Sequence, residues 1–310
     1  MAANLQSLVR MFDVVVIGGG PAGLNAALLL GRARRRVVVC DAGTPRNAVS
    51  HALHGFLSRD GLPPAELLRL GRDEICRYGV EWRAARVTDV LRAPEGFDVQ
   101  MEGGERLHGR KLLIATGVTD HLPDIAGFAA CYGQSVHHCP YCDGWEWRDT
   151  PLAVFGNGKA GAALSLALLT WSPDVHLFTS GPARLTAAVR GRLSMHRIVV
   201  HEAPVVALDH ADGCLQAVRL QDGETIPRTA LFFTTGQHQQ CTFASQLGCE
   251  FTPKGTVRTD RYGQTCVPGV FVVGDASFDV QFVVVAAAEG AKAAVLINKQ
   301  FQTEAGHALV

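Results

Sequence analysis

A glycine-rich turn set between two apolar runs constrains this chain more than any other stretch. Residues 12–17 read FDVVVI, an unbroken apolar run of strand length, and pass straight into GGGPAG at 18–23. Helix-compatible LNAALLLGRA follows, then a second apolar run, RVVVC at 36–40, which ends at Asp41. Strands buried on both faces read as continuous apolar runs, and parallel neighbours need a crossover, so this spacing predicts a βαβ unit. Each glycine has its own reason. Gly18 makes the tight turn, Gly20 lets the main chain approach a pyrophosphate, and Gly23 lets the helix pack closely on the strand. The helix N-terminus suits phosphates, and Asp41 is placed to bond a ribose diol. A lone G-x-G-x-x-G is weak; with strand, helix, second strand and terminal acid in order it predicts a dinucleotide-binding unit.

The same order recurs. LAVF at 152–155 feeds GNGKAG at 156–161, then AALSLALLT, then VHLF at 175–178. Gly156, Asn157, Gly158 and Gly161 are therefore a candidate second nucleotide loop. A strand that serves NADH should end in an acid, and one that serves NADPH should be followed by arginines. Here the chain reads TSGPAR at 179–184, with Arg184 alone to meet a 2′-phosphate. NAD(P)H binding at this loop stands beside two alternatives, a half kept as scaffold and a half holding another ligand.

Between the loops lies CPYCDGWE at 139–146. Two cysteines separated by two residues form a redox pair, in which one thiolate attacks a disulfide and the other resolves it. Pro140 suits the first turn of a helix, whose N-terminus would favour a Cys139 thiolate. Asp143 could carry the proton that thiol exchange must move. Cys139, Cys142 and Asp143 are the candidate catalytic residues. A zinc site from His137 or His138 with both cysteines is an alternative, although structural zinc wants a second pair and no other C-x-x-C exists. Two inert buried cysteines are another. C-P-Y-C also occurs in glutaredoxins, where it opens a small domain, whereas here it lies mid-chain. Tyr141, Trp145 and Trp147 could line an apolar substrate pocket or simply pack in a core or interface.

The chain has 310 residues, 47% hydrophobic and 19% charged, enough for two domains. Its formal net charge is zero, from 29 basic and 29 acidic side chains, which argues against nucleic acid or an anionic membrane as the main partner. The apolar runs at 14–17 and 282–288 are too short to span a bilayer. The opening MAANLQSLVR lacks the layout of a signal peptide, and nine scattered cysteines fit a reducing compartment, so a cytoplasmic protein is expected. The seven cysteines outside the pair read as buried small apolar residues.

Residues 44–61 look like a loop laid against a ligand, with Arg46 and Asn47 able to reach a nucleotide, and His51 and His54 either solvated or capping, or functional. Residues 64–78 read as an amphipathic helix, 80–91 and 96–102 as antiparallel strands, and 111–117 as a buried strand ending in A-T-G. Residues 120–135 are linker-like. Strands are expected at 197–208, 215–220 and 230–235, the last ending in Thr235-Gly236. VFVV at 270–273 leads into Gly274-Asp275, followed by an apolar helix over 281–296 and a short tail from Thr303.

In combination these motifs resemble the low-molecular-weight thioredoxin reductase family over nearly the whole chain. The resemblance implies an α/β fold of two Rossmann-like, three-layer (ββα) domains, the second inserted in the first. The FAD-binding domain would comprise 1–117 and 238–310, and residues 118–237 would form the inserted NAD(P)-binding-like domain carrying the redox pair. FAD contacts would fall on Gly18, Gly20, Pro21, Ala22, Gly23, Asp41, Arg46, Asn47, Val87, Thr116, Gly117, Gly274 and Asp275, with Gln281, Phe282 and Val283 presenting a helix N-terminus to the flavin. Cys142 would lie against the flavin, Cys139 would exchange with substrate, and Asp143 would be the acid/base. The partner would be a thioredoxin-like protein or a small disulfide or dithiol, and the assembly a homodimer. Where NADPH-using relatives carry a His-Arg-Arg run, this chain has residues 179–184. The C-P-Y-C pair and nearby tryptophans look closer to a side branch of dithiol oxidases of the gliotoxin and holomycin type, which use oxygen, and of reductases fed by ferredoxin. Use of NAD(P)H would force a domain rotation. A regulatory protein with a redox-sensing pair is the non-enzymatic alternative.

Overall fold

The structure, a computed structural model, describes residues 10–234, 236–277 and 280–307. From the N-terminus the elements are β1 (Arg10–Ile17), α1 (Pro21–Arg32), β2 (Val37–Cys40), α2 (Pro64–Cys76), β3 (Glu81–Arg83), β4 (Val87–Ala93), β5 (Gly96–Met101) and β6 (Arg106–Ile114). Then come β7 (Val118–Asp120), α3 (Phe128–Cys131), β8 (Val136–His137), α4 (Pro140–Asp143), β9 (Leu152–Phe155), α5 (Gly158–Leu168), β10 (Val175–Phe178), α6 (Ala187–Met195) and β11 (Val199–His201). The chain continues through β12 (Val205–Ala211), β13 (Cys214–Leu220), β14 (Thr225–Pro227), β15 (Ala230–Phe233), β16 (Gln237–Gln239), α7 (Phe243–Gln246), β17 (Val270–Val272) and α8 (Val283–Glu304).

The chain divides into two compact units. The first comprises 1–48, 63–119 and 237–310, and the second 49–62 and 120–236. In the first, β3, β2, β1, β6 and β17 form a parallel sheet, and β6 is long enough to pair β17 at Leu112–Ile114 and antiparallel β5 nearer its start. Alternation along the strands then makes three layers. Val15, Ile17, Val38 and Leu112 face the β4–β5 hairpin, and Val14, Val16, Val37 and Leu113 face α1 and α8. The two helices touch closely because a Cβ on Gly290 would collide with the Ala22 carbonyl.

The second unit repeats the plan. Strands β11, β10, β9, β15 and β8 form a parallel sheet, and β12–β13–β14 an antiparallel meander. Ala153, Phe178, Leu231 and Phe233 pack beneath the meander residues, whereas Leu152, Val154, Leu177 and Phe232 meet α5 and α6. Both units are Rossmann-like three-layer folds.

Four expectations change. Residues 49–62, expected with the first domain, belong to the second unit. Residues 120–135 are no linker: Phe128 is fully buried, edge-on to Phe233 at 5.0 Å and to Phe155 at 6.0 Å. A polar, glycine-containing stretch hid one aromatic that fixes it to the core. Helix α8 runs to Glu304 rather than Leu296, since Ile297 and Phe301 continue its buried stripe. Cys76, Cys214 and Cys266 are exposed, not buried. Thr235 and residues 308–310 lie outside the described residues. Among the described residues no helix is long and apolar enough to cross a membrane.

Candidate active site

Cys139 and Cys142 form a disulfide with Cα atoms 5.3 Å apart. The turn that holds them is local. Cys139 is the extended N-cap of α4, and Pro140 takes the position where a missing N–H costs nothing. The N–H groups of Cys142 and Asp143 both donate to the Cys139 carbonyl at 3.2 Å. Both cysteines and Asp143 are half-buried, so the pair is reachable yet held. Asp143 Oδ1 lies 3.3 Å from Nδ1 of buried His137, and the Trp147 indole N–H donates to His137 Nε2 at 3.0 Å. Among the described residues no three His, Cys, Asp or Glu side chains gather as metal ligands, and both cysteines are joined to each other.

The aromatics divide. Trp147 packs with the second unit's core, whereas Tyr141 is 76% and Trp145 64% exposed. Tyr141 stands edge-on to Trp171 at 5.5 Å, and the Arg148 guanidinium covers Trp145 at 4.2 Å. The loop 49–62 reaches this neighbourhood, with His54 Nε2 3.5 Å from Glu146 Oε1. Nothing in the local sequence of that loop signals the contact.

The first glycine loop fits a dinucleotide. Gly18 has φ +104° and no room for a Cβ against the Ala115 carbonyl; a Cβ on Gly23 would strike the Gly18 carbonyl. At Gly20 a Cβ would meet nothing within 4 Å, so the cradle is open where a pyrophosphate would lie. Helix α1 begins at Pro21 with no side-chain cap, leaving its first N–H groups, Ala22 and Gly23 among them, for an anion. Asp41 Oδ1 accepts from Gly19 N–H at 3.1 Å, which brings its carboxylate onto the loop. Beside it, burial pushes the Cys40 thiol up to about 12.

Other residues converge from far along the chain. Arg46 is ion-paired with Asp275 at 2.9 Å and donates to Gln281 at 2.8 Å. Gln237, which the sequence did not single out, exchanges amide hydrogen bonds with Gln281 at 2.8 and 3.0 Å. Gly274 has φ +73°, and its N–H donates at 2.6 Å to Glu289, a carboxylate flanked by small apolar residues in the first half of α8 and thus a signal the sequence did carry. Phe282 is the N-cap of α8, followed by Val283, again with no side-chain cap. Thr116 Oγ1 lies 3.4 Å from Cys241 Sγ, and Gly117 has φ +70°. Asn47 lies in the turn that Ala48 N–H closes on the Pro45 carbonyl. The Val87 side chain is committed to the core, so only its main chain is available to a ligand.

The Asn157 side chain spans the second loop. Asn157 Oδ1 accepts from Gly158 N–H at 2.7 Å and Arg184 N–H at 2.9 Å. Its Nδ2 donates to the Thr179 and Pro182 carbonyls at 3.1 and 3.2 Å. Gly156 and Gly161 pack as such glycines should: a Cβ on Gly161 would lie 2.6 Å from the Gly156 carbonyl.

Comparison with known proteins agrees with this geometry. The pyridine nucleotide-disulphide oxidoreductase profile matches residues 12–290. Thioredoxin reductase tcpT of Claviceps purpurea is 33% identical over 87% of this chain and 88% of its own. Thioredoxin reductase aclD of Aspergillus oryzae is 31% identical over 94% of this chain and 96% of its own. Among solved structures, HlmI is 42% identical with a TM-score of 0.90, covering 95% of this chain and 93% of its own. TrxB from Bacillus anthracis is 32% identical with a TM-score of 0.91, covering 95% and 99%. The chain belongs to the pyridine nucleotide-disulphide oxidoreductase family and is a thioredoxin reductase-like disulfide oxidoreductase that uses FAD.

Proposed function

We propose that the Cys139–Cys142 pair exchanges with an external disulfide or dithiol, with Asp143 as acid/base. The observation that carries this is the disulfide itself, held half-buried in a single turn with a carboxylate on the next residue. In the reducing direction, the Cys139 thiolate attacks one sulfur of R–S–S–R′ and expels R′S⁻, which takes a proton from Asp143. Cys142, losing its proton to the Asp143 carboxylate, then displaces RS⁻, which takes that proton, and closes the disulfide again, so one external disulfide yields two thiols as the dithiol is oxidised. FAD, when bound, supplies or takes up the electron pair that this disulfide exchanges. Its proposed holders are Gly18, Gly20, Pro21, Ala22, Gly23, Asp41, Arg46, Asn47, Val87, Thr116, Gly117, Gly274, Asp275, Gln281, Phe282 and Val283. The open Gly20 cradle and the uncapped α1 support this set.

The Asn157 bonds favour a second reading of the electron source. With that amide spanning the loop and the strand end, the Thr179 and Pro182 carbonyls and the Gly158 N–H are already engaged there. The pair then comes from a small dithiol, with oxygen as the acceptor, or from a protein donor. Exposed Tyr141 and Trp145 suit an apolar dithiol. The partner is a thioredoxin-like protein or a small disulfide or dithiol; the protein acts in the cytoplasm as a homodimer.

An anaerobic titration of the purified flavoprotein tests this. Dithiothreitol should bleach the visible flavin band, whereas NADPH and NADH should not. Rapid bleaching by either nucleotide would mean that the second loop binds nicotinamide despite Asn157, and no bleaching by any of the three would remove the redox role of the pair.

A further inference from the structure

We propose that His137 is a positioning residue for the dithiol chemistry, holding Asp143 through a ring whose tautomer Trp147 sets. The inference rests on the reading of Asp143 as acid/base. An indole nitrogen only donates, so Nε2 of His137, 3.0 Å from Trp147 Nε1, must carry its lone pair. The single proton of a neutral imidazole is then on Nδ1, the nitrogen 3.3 Å from Asp143 Oδ1. An imidazolium would set N–H against N–H at Trp147. His137 is therefore not a second acid/base; its role is to give Asp143 a direction.

The scaffold is built for this. His137 is buried at 6% exposure on β8, paired directly with Phe232 of β15. Its ring centroid lies 5.6 Å from that of Phe232 and 6.1 Å from that of Trp147. Among the described residues, Asp143 is the charged group that faces it. The contact thus joins the one-turn helix carrying the disulfide to a strand of the sheet. When Asp143 gives its proton to a leaving thiolate, the new carboxylate already faces an N–H.

The test uses the FAD-loaded enzyme and the rate at which dithiothreitol bleaches it anaerobically. His137→Phe removes the Nδ1 donor and should slow bleaching by about 10- to 100-fold, the scale of a misdirected catalytic group. His137→Asn, whose amide nitrogen can take the Nδ1 position, should recover most of that loss. Trp147→Phe removes the donor that holds the tautomer and should slow bleaching by a smaller factor than His137→Phe. A His137→Phe rate within about twofold of the parent, or no recovery with Asn, overturns the positioning role, provided Asp143→Asn is slow. An unaffected Asp143→Asn instead overturns the acid/base reading beneath it. Nitrogen-15 NMR of the histidine-labelled parent reads the tautomer without any substitution. A protonated Nδ1 and bare Nε2 are expected, and a neutral ring protonated at Nε2 would overturn the proposal.

Discussion

The two glycine loops share a fold and differ in what they leave open. Each follows a buried parallel strand, each places glycines where a Cβ would strike main chain, and each enters a helix. In the first, a carboxylate from the next strand reaches back to the loop, at Asp41 to Gly19, and the helix start is uncapped. In the second, the residue at the place of Gly19 is Asn157, and it reaches forward to the next strand's end. That amide also caps α5. One N–H of that helix start, Gly158's, is thus engaged from within, so one architecture gives an open cradle in one place and a self-bonded turn in the other.

Substitutions at the two loops should separate these roles. The largest effect is expected from Gly20→Val. The backbone there is extended at φ −73° and the space is empty, so the apoprotein should fold as before, yet the side chain occupies the pyrophosphate's approach. FAD affinity should fall by at least about 100-fold, as for a lost set of charge-assisted bonds of roughly 3 kcal/mol. Fluorescence titration of the apoprotein reads this, and unchanged binding would mean that FAD does not lie on this loop. Asp41→Ala should weaken FAD by about tenfold, the scale of one hydrogen bond to a charged group. The smallest effect is expected at the closed loop. Asn157→Ala removes a cap of about 1 kcal/mol and should lower Tm by roughly 2–4 °C while leaving FAD affinity and dithiol-driven bleaching unchanged. If Asn157→Ala instead gains rapid bleaching by NADPH, the amide is a plug over a working site rather than part of a scaffold.

Much of the site was legible because it is local. A C-x-x-C with proline inside makes its own turn, and the first loop declares itself by the spacing of its glycines, of which Gly23 packs on Gly18 five residues back. Residues 120–135 misled because composition there is turn-like, while the decisive fact is one phenylalanine meeting β9 and β15. The cysteines misled for a related reason: apolar character predicts burial on average, but Cys76 and Cys214 face outward from elements whose buried sides are filled by others.

The sequence by itself determined two strand–loop–helix units, the redox turn, the acid at Asp41 and the missing acid after β10. These depend on backbone sterics and on periodicities of a few residues, which a linear reading contains. Only the tertiary structure decided that 49–62 joins the second unit, that Arg46 meets Asp275 across 229 positions, and that Trp147 fixes the ring facing Asp143. Such pairings depend on which side chains packing brings within about 3 Å of one another, and hydrogen bonds at that range leave no periodic trace in the chain.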